Sequence, residues 1–323
     1  MRPTSTKLQS TLLFLAWLLA LGATLMGWAS LDGGRSRTLD ILTHFAPAPL
    51  AAALLALGLW WATGRRGRLL PALAVTALVP PLLLMGPEIA AGMRRPQPAP
   101  PGAEQIKVLQ FNLFTRNTDV RATTDYILRT DPDIILLQEA QGNAVAIVKA
   151  LAGHYPYSVS CYREYHCDPR ILMKTPPLAR SRENPGPKEK DADIGRVAWA
   201  RTTTAAGTPY TAVTVHFGWP GPRGAQENNR RRFLRELATL PREGLIIAGD
   251  FNSTPWSFAM RRQDRAFAIP RRTRAVATWP AILPVLPIDH LYAAPEWRTV
   301  SVERGPRLGS DHRPTLTTLA YAP

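Results

Sequence analysis

Several apolar runs in this chain end in residues that can hold a phosphate, a metal ion or a proton. The densest case is 245–256, LIIAGDFNSTPW. Four apolar residues that read as a buried strand run into Gly249, which is followed by Asp250, Phe251 and Asn252. Alternation along an extended chain puts Asp250 and Asn252 on one side and turns Phe251 back into the core. A carboxylate and a carboxamide leaving a strand end together suit an attacking water, a phosphate oxygen or a metal, although an Asp-x-Asn suits a plain turn equally well. Comparable strand ends recur. IKVLQFN closes on Asn112, DIILLQE closes on Glu139, and the alternating YTAVTVHF places His216 near its end. LPIDHL sets Asp289 between apolar neighbours, where a buried acid needs a partner. Singly, each has a bland reading: Asn112 as a turn residue, Glu139 as a solvated terminus, His216 as a satisfied strand histidine. Asp311 and His312, adjacent in GSDHRP, cannot both face a core, and their loop positions them for chemistry.

Presenting these groups requires strands at 106–112, 134–137, 170–173, 197–201, 210–217, 286–291 and 315–319, with a turn at 205–207. Helices are expected at 120–130, with Asp119 as cap, and at 140–151 and 226–240. Residues 153–192 are rich in loops and proline, and 181–193, SRENPGPKEKDAD, reads as a mobile polar loop. The chain has two cysteines, Cys161 and Cys167, with five residues between them. A local disulfide suits an oxidising compartment; two free thiols is the plain alternative, and a zinc site with His166 has too few ligands.

The first hundred residues are different in kind. Segments 11–29, 48–63 and 69–86 are almost free of charge and read as three transmembrane helices, the second ending in Trp60-Trp61 and the third kinked by Pro80-Pro81. A cleaved signal peptide competes for the first segment, but two further hydrophobic segments follow it. Arg2 and Lys7 precede the first segment, and Arg65, Arg66 and Arg68 fill the loop between the second and third. With three spans these fall on one side, which the positive-inside rule makes cytoplasmic, and residues after 90 then lie outside the cytoplasm. Arg35, Arg37, Arg94 and Arg95 weigh the other way. Residues 93–102, MRRPQPAPPG, form a semi-rigid spacer. The organisation is therefore a membrane anchor at 1–90, a Pro-rich linker at 91–103 and a folded domain at 104–323. The net charge of +15 suits a phosphate-rich partner or an anionic membrane surface.

Together the strand ends resemble the endonuclease/exonuclease/phosphatase superfamily, with its deoxyribonuclease-I-like fold. The matching pieces are QFN (110–112), LLQEA (136–140), TVHF (214–217), AGDFNSTP (248–255), IDHL (288–291) and GSDHRP (309–314), spread from about 105 to 321. AGDFN followed about sixty residues later by SDH is a specific combination. The resemblance implies an α/β fold, a four-layer α-β-β-α sandwich of two mostly antiparallel sheets, with the site at one edge. It implies phosphoester hydrolysis with Mg²⁺, or Mn²⁺ in its place. By position, Glu139 matches the principal metal carboxylate, with Asn112 beside it and Asp311 a second group near the metal. His312 matches the histidine acting on the phosphate or the water, oriented by Asp289, and His216 matches a phosphate-contacting histidine. Asp250 and Asn252 match the pair that positions the water and a phosphoryl oxygen. Either Asp250 or the Asp289–His312 pair could serve as general base. One departure is Lys174, standing near where relatives carry an arginine in a Ser-Arg segment.

The expectation is a membrane-anchored, multi-pass, Mg²⁺-dependent phosphoric ester hydrolase with its catalytic domain outside the cytoplasm, acting on a lipid or lipid-linked phosphate. An extracytoplasmic endo- or exonuclease is the alternative, and a non-catalytic membrane-anchored binding module a third reading. A nuclease requires a basic stripe flanking the site and steep salt dependence, whereas a lipid hydrolase requires an apolar rim.

Overall fold

Small residues decide how the first helices pack. The computed structural model describes residues 4–65, 67–94, 98–161, 168–181, 197–222 and 224–323. It divides into two compact units, the first comprising 1–93 together with 221–223 and 254–262. Here α1 (Thr4–Leu31), α3 (Pro47–Ala62) and α4 (Leu69–Met93) meet through buried Ala20, Ala23, Ala53, Ala56, Ala74 and Ala77. Alanines let helix backbones approach closely, which is how helices associate where apolar burial gives no preference. Phe14, Leu18, Leu25 and Leu82 point outward and are exposed. Among the described residues two helices, 7–34 and 69–93, are long and apolar enough to cross a membrane, rather than three. At 16 residues, α3 reaches only about 24 Å, short of a hydrocarbon core of about 30 Å. It reaches membrane length only if joined across a 59° bend to α2 (Arg37–His44), a helix not foreseen in the sequence.

The second unit holds 94–220, 224–253 and 263–323. Its chain runs β1 (Gln105–Asn112), α5 (Val120–Thr130), β2 (Ile134–Gln138), α6 (Val145–Leu151), β3 (Tyr157–Ser160), β4 (Arg170–Met173), β5 (Ala179–Arg180), β6 (Val197–Thr203), β7 (Pro209–His216), α7 (Ala225–Leu237), β8 (Leu245–Asp250), α8 (Phe258–Phe267), β9 (Asp289–Ala293), β10 (Trp297–Arg304) and β11 (Thr315–Tyr321). One sheet has the order β10-β11-β1-β2-β4-β3 and the other β5-β6-β7-β8-β9. Each is antiparallel apart from one parallel pair, β1 with β2 and β7 with β8. A parallel pair needs a crossover, and α5 and α7 supply them. The helices α5 and α6 cover the six-stranded sheet, burying Tyr126, Ile127, Ile147 and Leu151 against Leu109, Phe111, Ile135 and Leu137. On the other sheet Phe233 of α7 closes edge-on over Phe217, and Phe267 of α8 closes edge-on over Tyr292 and tilted over Phe251. The inner faces of the two sheets are joined by Gln138, which donates to Thr214 Oγ1 (2.8 Å), and by Gln110, which donates to Asp289 (2.7 Å). This is the expected α/β sandwich.

Several element limits differ from the sequence reading. The helix expected from 140 starts at Val145, because Gly142 turns the chain with φ +59° against Thr115 and opens a 3-10 turn. The strand expected at 286–291 begins at Asp289, and Leu286 pairs separately with Trp279. The elements β3, β5, β10 and α8 were not anticipated. Cys161 is buried and disulfide-bonded, whereas Cys167 lies outside the described residues, as does 182–193 of the expected mobile loop.

Candidate active site

The two parallel pairs bring their C-terminal ends to one edge, and the site residues follow from register. In the five-stranded sheet His216 of β7 lies opposite Asp250 of β8, which lies opposite Asp289 of β9. In the other sheet Asn112 lies opposite Gln138, so the next residue, Glu139, leaves the same edge. Gly249 makes the β7–β8 approach possible, since a Cβ there would run into the Val215 backbone.

Asp250 is the hub. It is 1% exposed, and its Oδ2 accepts from Asn112 Nδ2 at 3.0 Å. The Nε2 atoms of His216 and His312 stand 3.7 and 3.6 Å from the same oxygen, longer than direct hydrogen bonds. Its Oδ1 accepts from the Asn252 N–H at 2.8 Å. That bond is an Asx turn, with Asn252 at φ +48°, so the two residues meet through a turn rather than by strand alternation. Phe251 is buried as expected, edge-on to Phe217 and Tyr292. Asn252 further donates to Phe217 O at 2.8 Å. Burial pushes the Asp250 carboxyl up, helped by the neighbouring charge of Asp289 and opposed by the two histidines.

Each histidine is held from behind by a carboxylate. His312 Nδ1 lies 2.8 Å from Asp289 Oδ2, and Asp289 also accepts from Gln110 Nε2 (2.7 Å) and Thr278 Oγ1 (2.5 Å). Burial alone would lower the His312 pKa, but Asp289 and Asp250 pull it up to about 10. The same contacts hold the Asp289 carboxyl below its ordinary range against the opposing effect of burial. His216 Nδ1 lies 2.5 Å from Asp168 Oδ2. Asp168 is buried, and its other oxygen has no hydrogen-bond partner among the described residues. Five groups thus form a row, Asp289–His312–Asp250–His216–Asp168.

Glu139 sits beside this row in a left-handed conformation, φ +51°. Its Oε2 accepts from the Thr115 N–H (2.9 Å) and hydroxyl (3.0 Å), and its Oε1 from Asn112 Nδ2 (3.3 Å). Burial pushes this carboxyl up, but the Thr115 amide, the charge of His216 and the Asn112 amide outweigh it and hold the pKa below the ordinary value. Asn112 turns its NH₂ to both carboxylates while its oxygen accepts from Phe114 N at 3.0 Å. An ionised, half-buried carboxylate among oxygen donors is the ligand type a hard divalent cation takes. Asp250, Asp289 and His312 also offer ligand atoms within 4.8 Å of one another. Asp289 already accepts three hydrogen bonds and engages His312 Nδ1, so the atoms of that cluster are largely taken up by one another. Asp311 is exposed, with its carboxylate accepting from Trp279 Nε1 at 3.3 Å. Ser310 fixes this turn, donating to Asn112 O at 2.7 Å and accepting from His312 N. Lys174 pairs with Asp131 at 2.7 Å.

The structure therefore joins Asn112, Glu139, His216, Asp250, Asn252, Asp289 and His312 in one network. It adds Asp168, Thr115, Gln110 and Thr278, which sequence reasoning missed. Gln110 and Gln138 had a signal, being polar residues inside otherwise apolar strands. Asp168 had none, because the sequence around it has no recognisable period.

A family model described as the endonuclease/exonuclease/phosphatase family matches residues 109–312. Among solved structures, the endonuclease/exonuclease/phosphatase from Beutenbergia cavernae superposes with TM-score 0.53 at 15% identity, covering 68% of this chain and 72% of that one. The corresponding protein from Bacteroides vulgatus gives 0.52 at 19% identity, over 68% and 99%. A Staphylococcus aureus beta toxin mutant with bound magnesium ions gives 0.50 at 12% identity, over 68% and 100%. At these identities the likeness is one of fold. No curated protein matches the chain in sequence.

Proposed function

The chain belongs to the endonuclease/exonuclease/phosphatase family, and we propose that it is a membrane-anchored, divalent-metal-dependent phosphoester hydrolase acting outside the cytoplasm on a lipid or lipid-linked phosphate. The observation that carries the hydrolase reading is the five-membered row with Glu139 beside it. We assign Glu139 as the carboxylate that would hold Mg²⁺, with Asn112 orienting it and Asp311 as a second group toward the ion; Mn²⁺ suits the same oxygen donors. When bound, the ion neutralises charge developing on the phosphate and the leaving oxygen. His312, its Nδ1 tied to Asp289, presents Nε2–H as a donor to a phosphoryl oxygen. That leaves Asp250 to accept the proton of the attacking water, with Asn252 holding the carboxylate in place. His216, backed by Asp168, gives a second donor beside the same Asp250 oxygen.

What favours a lipid over a nucleic acid is the rim of the site. Trp219, three residues beyond His216, meets Trp279 edge-on with ring centres 5.7 Å apart, and Trp279 touches Asp311. The hairpin that follows exposes Ile282 (74%), Leu283 (69%) and Val285 (47%), while Trp219 is 60% exposed. Exposed apolar residues grouped at a site mark an interaction surface rather than chance. Two apolar helices supply the means of anchoring. The disulfide at Cys161 supports the extracytoplasmic orientation, as do the basic residues Arg2, Lys7, Arg65 and Arg68 where α2 and α3 together form a third span; two spans would return the domain to the side of the N-terminus.

The test uses the full-length protein in detergent micelles, because residues 254–262 pack with 1–93. Oligonucleotides, phospholipids and prenyl pyrophosphates are offered with Mg²⁺ or EDTA. Metal-dependent turnover of a lipid phosphate, reduced more than a hundredfold in Glu139→Gln and His312→Ala, is expected, since outer-shell changes alone cost about tenfold to a hundredfold. Turnover of oligonucleotides alone, falling steeply with salt, would replace the substrate class. Turnover of nothing would remove the enzyme reading. A reporter fused at Pro323 that is active only in the cytoplasm would reverse the orientation.

A further inference from the structure

Helix α2 does more than connect apolar helices. Within the first unit, one face of α2 grips the stretch 254–259, which begins two residues after Asn252. The Asp40 carboxylate, 4% exposed, accepts from the N–H groups of Phe258 and Ala259, at 2.8 Å to each oxygen. These are the first two amides of α8, which have no acceptor inside their own helix. A carboxylate there gains charge-assisted bonds and the favourable end of the helix dipole. His44 Nδ1 accepts from the Thr254 N–H at 3.1 Å, and Trp256 Nε1 donates to Thr43 O at 2.8 Å. Asp40, Thr43 and His44 are three and four residues apart and therefore share a face. Trp256 fills the space between Ala46 and Leu84, and Gly33 leaves room for Phe258, whose ring a Cβ would meet at 2.8 Å. All the gripped residues from Thr254 to Ser257 are buried.

This is an unusual use of a buried acid, because the helix it caps lies more than two hundred residues further along the chain. The capped helix starts close after Asp250-Phe251-Asn252, whose geometry depends on the Asn252 N–H reaching Asp250 at 2.8 Å. Upstream, Ser253 O is held by His290 Nε2 (2.8 Å) and Ser253 Oγ by Gln226 (2.9 Å). Residues 252–254 are therefore pinned from both sides, with α2 supplying the downstream pin.

We propose that Asp40 and His44 are positioning residues for the reaction: by fixing 254–259 they set where the Asn252 amide holds Asp250. This rests on the phosphoesterase reading for its catalytic consequence but not for its structural one. Full-length wild type, Asp40→Asn, Asp40→Ala and His44→Gln are compared, with Asp32→Asn as a control at an exposed position. Hydrogen exchange of 254–262 is measured alongside kcat and KM for a soluble phosphodiester with Mg²⁺. The expected result is faster exchange confined to this stretch and a drop in kcat of about tenfold or more with KM little changed, since displacements near 1 Å cost up to about a hundredfold. Asp40→Ala should exceed Asp40→Asn, whose amide oxygen can still accept one bond, and Asp32→Asn should match wild type. Unchanged exchange in both Asp40 variants overturns the proposal, as does unchanged kcat despite faster exchange. A loss shared by kcat and global melting in Asp40→Ala but absent from Asp40→Asn and His44→Gln also overturns it. Wild type without metal-dependent turnover refutes the phosphoesterase reading instead, and exchange then judges the grip alone.

Discussion

Two buried carboxylates flank His312 and favour its protonated form, which bears on stability. Its pKa is raised from the ordinary 6.5 to about 10. A group whose folded pKa is raised contributes stability that is complete below the unfolded value and is lost as pH climbs to the folded one. In EDTA, the melting temperature of wild type relative to His312→Gln should therefore stand highest near pH 6 and converge as pH approaches 10. A gap that widens with pH would contradict the assignment. Asp168 makes a second prediction at this scale. With its carboxylate 2.5 Å from His216, Asp168→Asn should lower kcat by about a hundredfold, the low end of the range for positioned proton-transfer groups. If the pair acts as a unit, His216→Ala combined with Asp168→Asn should lose no more than His216→Ala alone.

At the scale of elements, each sheet builds half of the site in the same way. A strand, a crossover helix and a parallel strand leave two polar ends side by side, Asn112 with Glu139 in one sheet and His216 with Asp250 in the other. The device depends on close strand approach at Gly249, where a Cβ would meet the Val215 carbonyl. Gly249→Ala should destabilise the fold by about 1–3 kcal/mol or more, as overpacking does, seen as a lower denaturant midpoint. It should also separate His216 from Asp250 and reduce turnover beyond the unfolded fraction. A variant with unchanged midpoint would show that the strands have slack at this point.

For the whole molecule, apolar helices and an apolar rim beside the site belong together if the substrate is delivered by a bilayer. Ile282→Asp with Leu283→Asp should reduce turnover of a vesicle-borne lipid phosphate by about tenfold or more, following the loss of buried apolar area. Turnover of a short soluble phosphodiester should be unaffected. Equal losses on both substrates would place the hairpin in the chemistry rather than in membrane docking. The charge of +15 then serves attraction to an anionic surface, and raising salt should weaken vesicle binding.

What the sequence determined by itself was local or carried by pattern. Strands β4 and β8 and helix α5 followed from apolar runs and a cap at Asp119, and QFN, LLQEA, AGDFN and SDH marked the strand ends that converge. Periodicity could also identify charge-free segments, but not whether 16 residues suffice for a span, which depends on the bend after α2. The tertiary structure decided everything that joins distant positions. Asp168 meets His216 across 48 positions, Gln110 meets Asp289 across 179, and Asp40 caps a helix 218 residues away. A carboxylate in a polar loop carries no local trace of its partner, because the pairing is fixed by strand register and burial. The Asp250–Asn252 pair lies between these cases: its residues were legible, but the left-handed turn at Asn252 that brings amide to carboxylate is set by the packing of Phe251 and the bonds to Phe217 and Gln226.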